Sequence, residues 1–222
     1  MSALLRLLLV LLPWSLRRPL LVRCYGYRLH SGSRVGLAWV FPRELVLERG
    51  ARIGHLTVVK GLERLTLGEQ ASIGRLNWIS AFPRGTGSRH FAHLPHRKPE
   101  LLVGEHAAIT HRHIIDCTER VIVGRFATVA GYRSQILTHS IDFERCRQHA
   151  EPVSIGDYCF VGTACTILGG AALPSHSVLG AHSMLNKAYA EPYRLYGGVP
   201  AAPVRELGRG VEYFRREQGF VT

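Results

Sequence analysis

Between residues 153 and 187 the aliphatic residues keep a fixed count. Ile155, Val161, Ile167, Leu173, Leu179 and Leu185 stand six apart without a slip. Neither a helix nor an ordinary strand repeats at six. The fourth residue after each aliphatic is small: Cys159, Cys165, Ala171, Ser177 and Ser183. Gly follows the aliphatic at Gly156, Gly162 and Gly180. A hexad suits a three-sided coil, in which each side is one short strand plus a corner. Such coils stack at the strand spacing of about 4.8 Å, which gives a parallel β-helix. The large aliphatic fills the interior and the small residue fits the crowded inner corner. Glycine is expected to support the bend.

The same register appears earlier at Leu47, Ile53 and Val59, then at Leu67, Ile73 and Ile79 after two extra residues. It resumes at Val103, Ile109 and Ile115, and again at Val123 and Val129. Ala51, Thr57, Ala71, Ala107 and Ala127 repeat the small position. The sequence therefore predicts an all-β coil over residues 35–187, with loops near 80–101 and 139–152. A Leu/Arg-rich segment, 1–34, precedes it. A cap, 188–222, follows, in which "EYFRREQ" reads as a short helix covering the last turn and its open strand edge. Loops ejected from a rigid scaffold are where chemistry usually resides.

The chain has 222 residues, enough for one domain with a sizeable core, and a formal charge of +12. That balance favours an anionic partner. No basic stripe interleaved with aromatics is present, so nucleic acid is not expected. The five cysteines, Cys24, Cys117, Cys146, Cys159 and Cys165, show neither metal-ligand nor redox spacing. They read as reduced thiols of a cytoplasmic protein. In "SALLRLLLVLLPWSLRRPLLVRCYG", Arg6, Pro13, Arg17 and Arg18 interrupt the leucines, so a membrane span is not expected. The segment reads either as an interfacial helix touching the inner face of the cell membrane or as a helix packed on the domain.

"LTHSIDFER" at 137–145, "PVSIGDYCFVG" at 152–162, the hexads after it and "YGGVPAAPVREL" at 196–207 together resemble the hexapeptide-repeat acyltransferases. The nearest branch is the maltose/galactoside and capsule-polysaccharide O-acetyltransferases. The resemblance implies a left-handed parallel β-helix, although parallel crossovers in general are right-handed. It also implies a homotrimer with sites between subunits, acetyl-CoA as co-substrate, no metal, and a sugar hydroxyl of an envelope, capsule or exopolysaccharide saccharide as acceptor. His139 matches the family's general base, since a neutral imidazole can take the hydroxyl proton. Asp142 and Glu144 are candidates to orient it. "ITHRHIIDC" holds His111, His113 and Asp116, and "LNWIS" holds Asn77 and Trp78. Of these, Asn77, Trp78 and His113 are candidate acceptor-binding residues. Lys187 and Arg205 match basic positions expected to meet coenzyme A phosphates. Gly162, Ala164, Gly180 and Ala181 suit a close-lying pantetheine arm. The chain departs from the family at Ala202, where Lys is usual, at Phe160 for Trp, and at Ser140 for Pro. Two other readings stand beside this one: a zinc-dependent lyase of the carbonic-anhydrase kind on the same fold, and a non-catalytic scaffold.

Overall fold

The computed structural model describes residues 3–86, 88–219 and 221. Strands follow one another around three parallel sheets, the chain visiting the first, second and third sheet in turn. The first coil is Arg28–Leu29, Arg34–Val35 and Trp39–Val40. The fourth, after the first loop, is Glu100–Val103, Ala108–His111 and Ile114–Asp116. The seventh is Ala172–Leu173, Val178–Leu179 and Met184–Leu185. The hexad aliphatics point inward and are buried along the whole stack, from Leu47 and Ile53 to Leu179 and Leu185. Thr57, Ala71, Ala107, Cys159, Cys165, Ser177 and Ser183 are buried beside them.

The coil begins one strand earlier than residue 35. Leu29 and Val35 share the register, but Val40 follows after five residues and Leu47 after seven. The two slips erase the period while leaving the rung intact.

Glycine acts differently from expectation. Most corners are turned by non-glycine residues in the left-handed region, including Leu76, Arg112, Tyr158, Ala164 and His176, with φ between 55° and 60°. Gly156 and Gly162 instead permit close rung-to-rung approach. A Cβ on Gly156 would lie 2.5 Å from Ser175 N, and one on Gly162 would lie 2.6 Å from Ala181 N.

Both ends of the stack are covered. Helix α1 spans Ala3–Leu11, and helix α2, Trp14–Tyr25, ends at Gly26 with φ 68°. From α2, Arg17 donates to the carbonyls of Val35 and Gly36, Arg18 to Leu29 O at 2.6 Å, and Trp14 Nε1 to Ser33 O at 3.1 Å. Those acceptors belong to the first coil, so α2 packs on the domain as the cap of an open edge. At the other end Arg194–Gly198 extends the second sheet, and Ala201–Glu206 pairs with it antiparallel. That hairpin ends the second sheet. The short helix expected over the last turn is a 3₁₀ turn, Glu212–Phe214, and it lies along the side. There Phe214 packs edge-on against His176 and Tyr193. These two rings end a column of stacked rings, His106, Phe126, Tyr158, His176 and Tyr193, with neighbouring centroids 4.8–5.2 Å apart. One ring per rung at the strand spacing produces that stack.

Candidate active site

The third strand of the fifth coil, Gln135–Leu137, does not turn directly into the next rung. The chain leaves as a hairpin of His139–Asp142 against Arg147–Ala150 and rejoins the stack at Val153. His139 therefore stands at the root of the hairpin, opposite Ala150, where a rigid strand fixes it.

The partner of His139 is Asp116. His139 Nδ1 lies 2.8 Å from Asp116 Oδ2. The carboxylate is fully engaged. It accepts Thr118 Oγ1 at 2.6 Å, Thr138 Oγ1 at 2.7 Å, and the backbone N–H groups of Thr118, Thr138 and His139. Burial would raise the Asp116 carboxyl, but the bonds from His139, Thr118 and Thr138 outweigh it and hold it below the usual value. The bond to Asp116 is the main cause that raises His139 above the ordinary imidazole value, with burial opposing. With Nδ1 committed to Asp116, Nε2 is the nitrogen left for chemistry. The His139 side chain keeps 32% of its surface exposed, so that nitrogen is reachable.

The first loop walls this pair. Phe82 stands edge-on to the imidazole at 5.5 Å and Phe91 at 6.1 Å. Arg97 is buried beneath Phe91, its guanidinium 4.0 Å from the ring centroid. Its Nη1 donates to Phe82 O at 3.1 Å and to Thr118 O at 2.7 Å. Arg97 thus ties the aromatic wall to the segment that holds Asp116. His93 Nε2, 2.8 Å from Gln148 O, joins the loop to the hairpin. Between them lies a cleft of about 410 Å³, lined by Arg89, His90, Ile141 and Arg147 among others.

The other sequence-derived candidates fall in different places. Asp142 pairs with Arg145 at 3.0 Å, three residues out along the hairpin, and Glu144 is exposed at its tip. Neither approaches His139 as Asp116 does, because the strands of the hairpin carry them away from its root. Asn77 and His113 are buried inside the prism at the small-residue position. Asn77 Oδ1 accepts His113 N at 2.9 Å, His113 Nδ1 accepts Ser134 N at 3.1 Å, and Asn77 Nδ2 donates to Thr110 O at 2.9 Å. In this placement both are rungs of an internal polar ladder. Trp78 is exposed on the outer face of the third sheet, with Lys60 Nζ 4.5 Å from its ring centroid.

Gly162, Ala164, Gly180 and Ala181 come together on the last two coils at the corner between the second and third sheets. They form a strip almost free of side chains. Lys187 is exposed just past the last strand, with Nζ 5.2 Å from the Tyr189 ring, and Arg205 is exposed on the final antiparallel strand. Among the described residues, no group of three or more His, Cys, Asp or Glu side chains is placed to hold a metal ion.

Sequence reasoning passed over Asp116, Phe82, Phe91 and Arg97. The structure stacks Ile115 on Ile136 and Asp116 on Leu137, two residues before His139, but Ile136 follows Val129 after seven residues, a slip that hides this pairing from the hexad count.

No family model matches the chain, and no curated protein does. Solved structures do. One is a hexapeptide-repeat acetyltransferase of Vibrio cholerae O1 biovar eltor complexed with acetyl coenzyme A. It is 22% identical over 64% of this chain and 70% of its own, with a TM-score of 0.50. Another is a mutant of AntD, an N-acyltransferase of Bacillus cereus, in complex with dTDP-4-amino-4,6-dideoxyglucose and coenzyme A. It is 12% identical over 87% of this chain and 91% of its own, with a TM-score of 0.61. A hexapeptide transferase family protein of Anaplasma phagocytophilum is 18% identical over 77% and 85%, with a TM-score of 0.52. The chain has the left-handed parallel β-helix fold of these hexapeptide-repeat transferases.

Proposed function

We propose that the protein is an acetyl-CoA-dependent O-acetyltransferase that acts on a hydroxyl of an envelope, capsule or exopolysaccharide saccharide, with His139 as general base and Asp116 as its orienting carboxylate. The observation that carries this reading is the 2.8 Å contact between His139 Nδ1 and a buried, fully hydrogen-bonded Asp116. Asp116 accepts the hydrogen bond from Nδ1–H and so fixes the tautomer. Nε2 removes the proton of the sugar hydroxyl as its oxygen bonds to the thioester carbonyl carbon. As the C–S bond breaks, the same Nε2–H protonates the departing thiolate, so no covalent enzyme intermediate is required. The complexes of similar folds with acetyl coenzyme A, and with coenzyme A plus an aminosugar nucleotide, support the choice of donor and acceptor class. We assign the strip at Gly162, Ala164, Gly180 and Ala181 to the pantetheine arm, and Lys187 and Arg205 to its phosphates.

The test is thiol release from acetyl-CoA with candidate saccharides. His139→Ala is expected to lower kcat by roughly 10²–10⁴. Wild-type must act on the unprotonated imidazole, so its rate rises with pH through the raised His139 ionisation. Asp116→Asn removes the main cause of that rise, so its acid limb shifts to lower pH while its plateau falls. A merely structural Asp116 would lower the plateau and leave the limb in place. Wild-type thiol release by His139→Ala sinks the reading.

The working assembly is proposed to be a homotrimer at a membrane surface. Among the described residues no helix is long and apolar enough to cross a membrane. Leu4, Leu8 and Leu11 of α1 are nevertheless 68%, 54% and 64% exposed, and no acidic residue precedes Glu44. Both features suit an interfacial helix on anionic lipid. Sedimentation equilibrium is expected to give three copies. Flotation with anionic but not zwitterionic vesicles is expected of the full chain.

A further inference from the structure

The corner between the second and third sheets carries a second feature, on earlier coils than the smooth strip. His55, Arg75 and His111 occupy one register on three successive rungs, and Arg112 and Arg133 follow on the next register. Together with Leu56, Leu76 and Tyr132, the first four line a groove of about 470 Å³. No carboxylate lines it.

Three observations together mark this groove as a site for an anion. First, several arginines elsewhere are neutralised between rungs: Arg64 by Glu44, Arg49 by Glu69, Arg120 by Glu100, and Arg125 by Asp157. Arg75, Arg112 and Arg133 lie on consecutive rungs, Arg112 and Arg133 in one register and Arg75 in the register beside it, and among the described residues none has an ion-pair partner. Like charges at the rung spacing of about 5 Å repel unless an anion joins them. Second, both imidazoles are fixed in tautomer. Leu37 N donates to His55 Nδ1 at 3.1 Å, and Arg75 N donates to His111 Nδ1 at 2.9 Å. In each neutral ring the proton is then on Nε2, which has no protein partner among the described residues and is a donor. Third, the walls beside these donors are apolar: Leu56, Leu76 and Tyr132 are all exposed.

We infer that this groove binds a diphosphate ester, the phosphoryl oxygens on Arg75, Arg112 and the two imidazoles, and the organic part against Tyr132 and the leucines. Donors on three rungs span about 10 Å, more than one phosphoryl group needs. Guanidinium forks and N–H donors without a competing carboxylate are the chemistry that recognises phosphate. The ester could come from a coenzyme or from a nucleotide-linked sugar, and both present the same anion. The inference does not depend on His139 chemistry.

The experiment is calorimetric titration of the full chain with inorganic pyrophosphate, followed by competition with ADP and with a nucleoside diphosphate sugar. Wild-type and His139→Ala are expected to bind pyrophosphate alike, and Arg75→Gln/Arg112→Gln at least tenfold more weakly, with an unchanged Tm. Displacement by ADP alone assigns a coenzyme; displacement by the sugar nucleotide at lower concentration assigns a glycosyl substrate. Equal pyrophosphate binding by wild-type and the double variant, or no binding by wild-type, overturns the inference. Loss of acetyl transfer in His139→Ala with pyrophosphate binding intact leaves it standing.

Discussion

His113 and His139 show how one side chain takes opposite characters in a single scaffold. His139 lies at the prism surface beside a carboxylate, which favours its charged form. His113 lies inside, where its Nδ1 accepts Ser134 N and its Nε2 lies 3.0 Å from Thr110 Oγ1. Burial depresses it to about 4, with no carboxylate to compensate. The folded state therefore holds neutral His113 while the unfolded chain takes up a proton near pH 6.5. The associated stability is fully present above pH 6.5 and is lost as pH falls toward 4, a total of about 3 kcal/mol. Urea unfolding of wild-type between pH 7 and 4 is expected to show that decline, and His113→Gln to flatten it even if it starts less stable. An equal pH slope in the two proteins would remove His113 as its source.

At the scale of the element, the hexad glycines separate two physical causes that a sequence cannot distinguish. Gly156 and Gly180 stand in the same sequence context, each directly after an inward aliphatic. Neither has a positive φ, so a left-handed bend is not what requires them. A Cβ on Gly156 would meet Ser175 N at 2.5 Å, whereas one on Gly180 meets nothing closer than Tyr196 O at 3.5 Å. Gly156→Ala is therefore expected to cost about 2 kcal/mol through overlap of backbone with backbone. Gly180→Ala is expected to be neutral, or to gain about 0.5 kcal/mol by restricting the unfolded chain. Thermal unfolding of both variants measures the contrast. The same comparison shows what the sequence disclosed. Inward aliphatics and small inner residues were legible because a rung repeats them at one spacing. The Asp116–His139 pair was not, because its members are 23 residues apart and meet only through rung stacking across an irregular coil. Asp142 and Glu144 were nearer in sequence, and proximity along a hairpin is the wrong measure when each strand lies against the rung before it.

A stack of coils is close to one-dimensional: each rung touches only its neighbours, and the two ends must be closed against further pairing. The molecule closes its far end with a strand and its near end with a helix. The helix works through polar contacts as much as through its leucines. Arg17 is buried, and it bridges α1 and the first coil by donating to Val10 O at 3.0 Å, Gly36 O at 2.7 Å and Val35 O. Burial lowers its ionisation, yet a guanidinium stays charged at neutral pH. Arg17→Leu keeps an apolar stem and removes the donors, leaving edge carbonyls without partners. Each unsatisfied buried carbonyl costs about 1–3 kcal/mol, so the variant is expected to lose about 3 kcal/mol overall. The loss would be localised. Amide exchange is expected to accelerate first at Trp39 and Val40, while Val161 and Ile167 in the sixth coil stay protected. An opened first rung also exposes strand edges, so light scattering is expected to rise with concentration in Arg17→Leu before the remaining coils unfold. Uniform loss of protection along all seven coils would show instead that the prism unfolds as one cooperative unit and that α2 is no local cap.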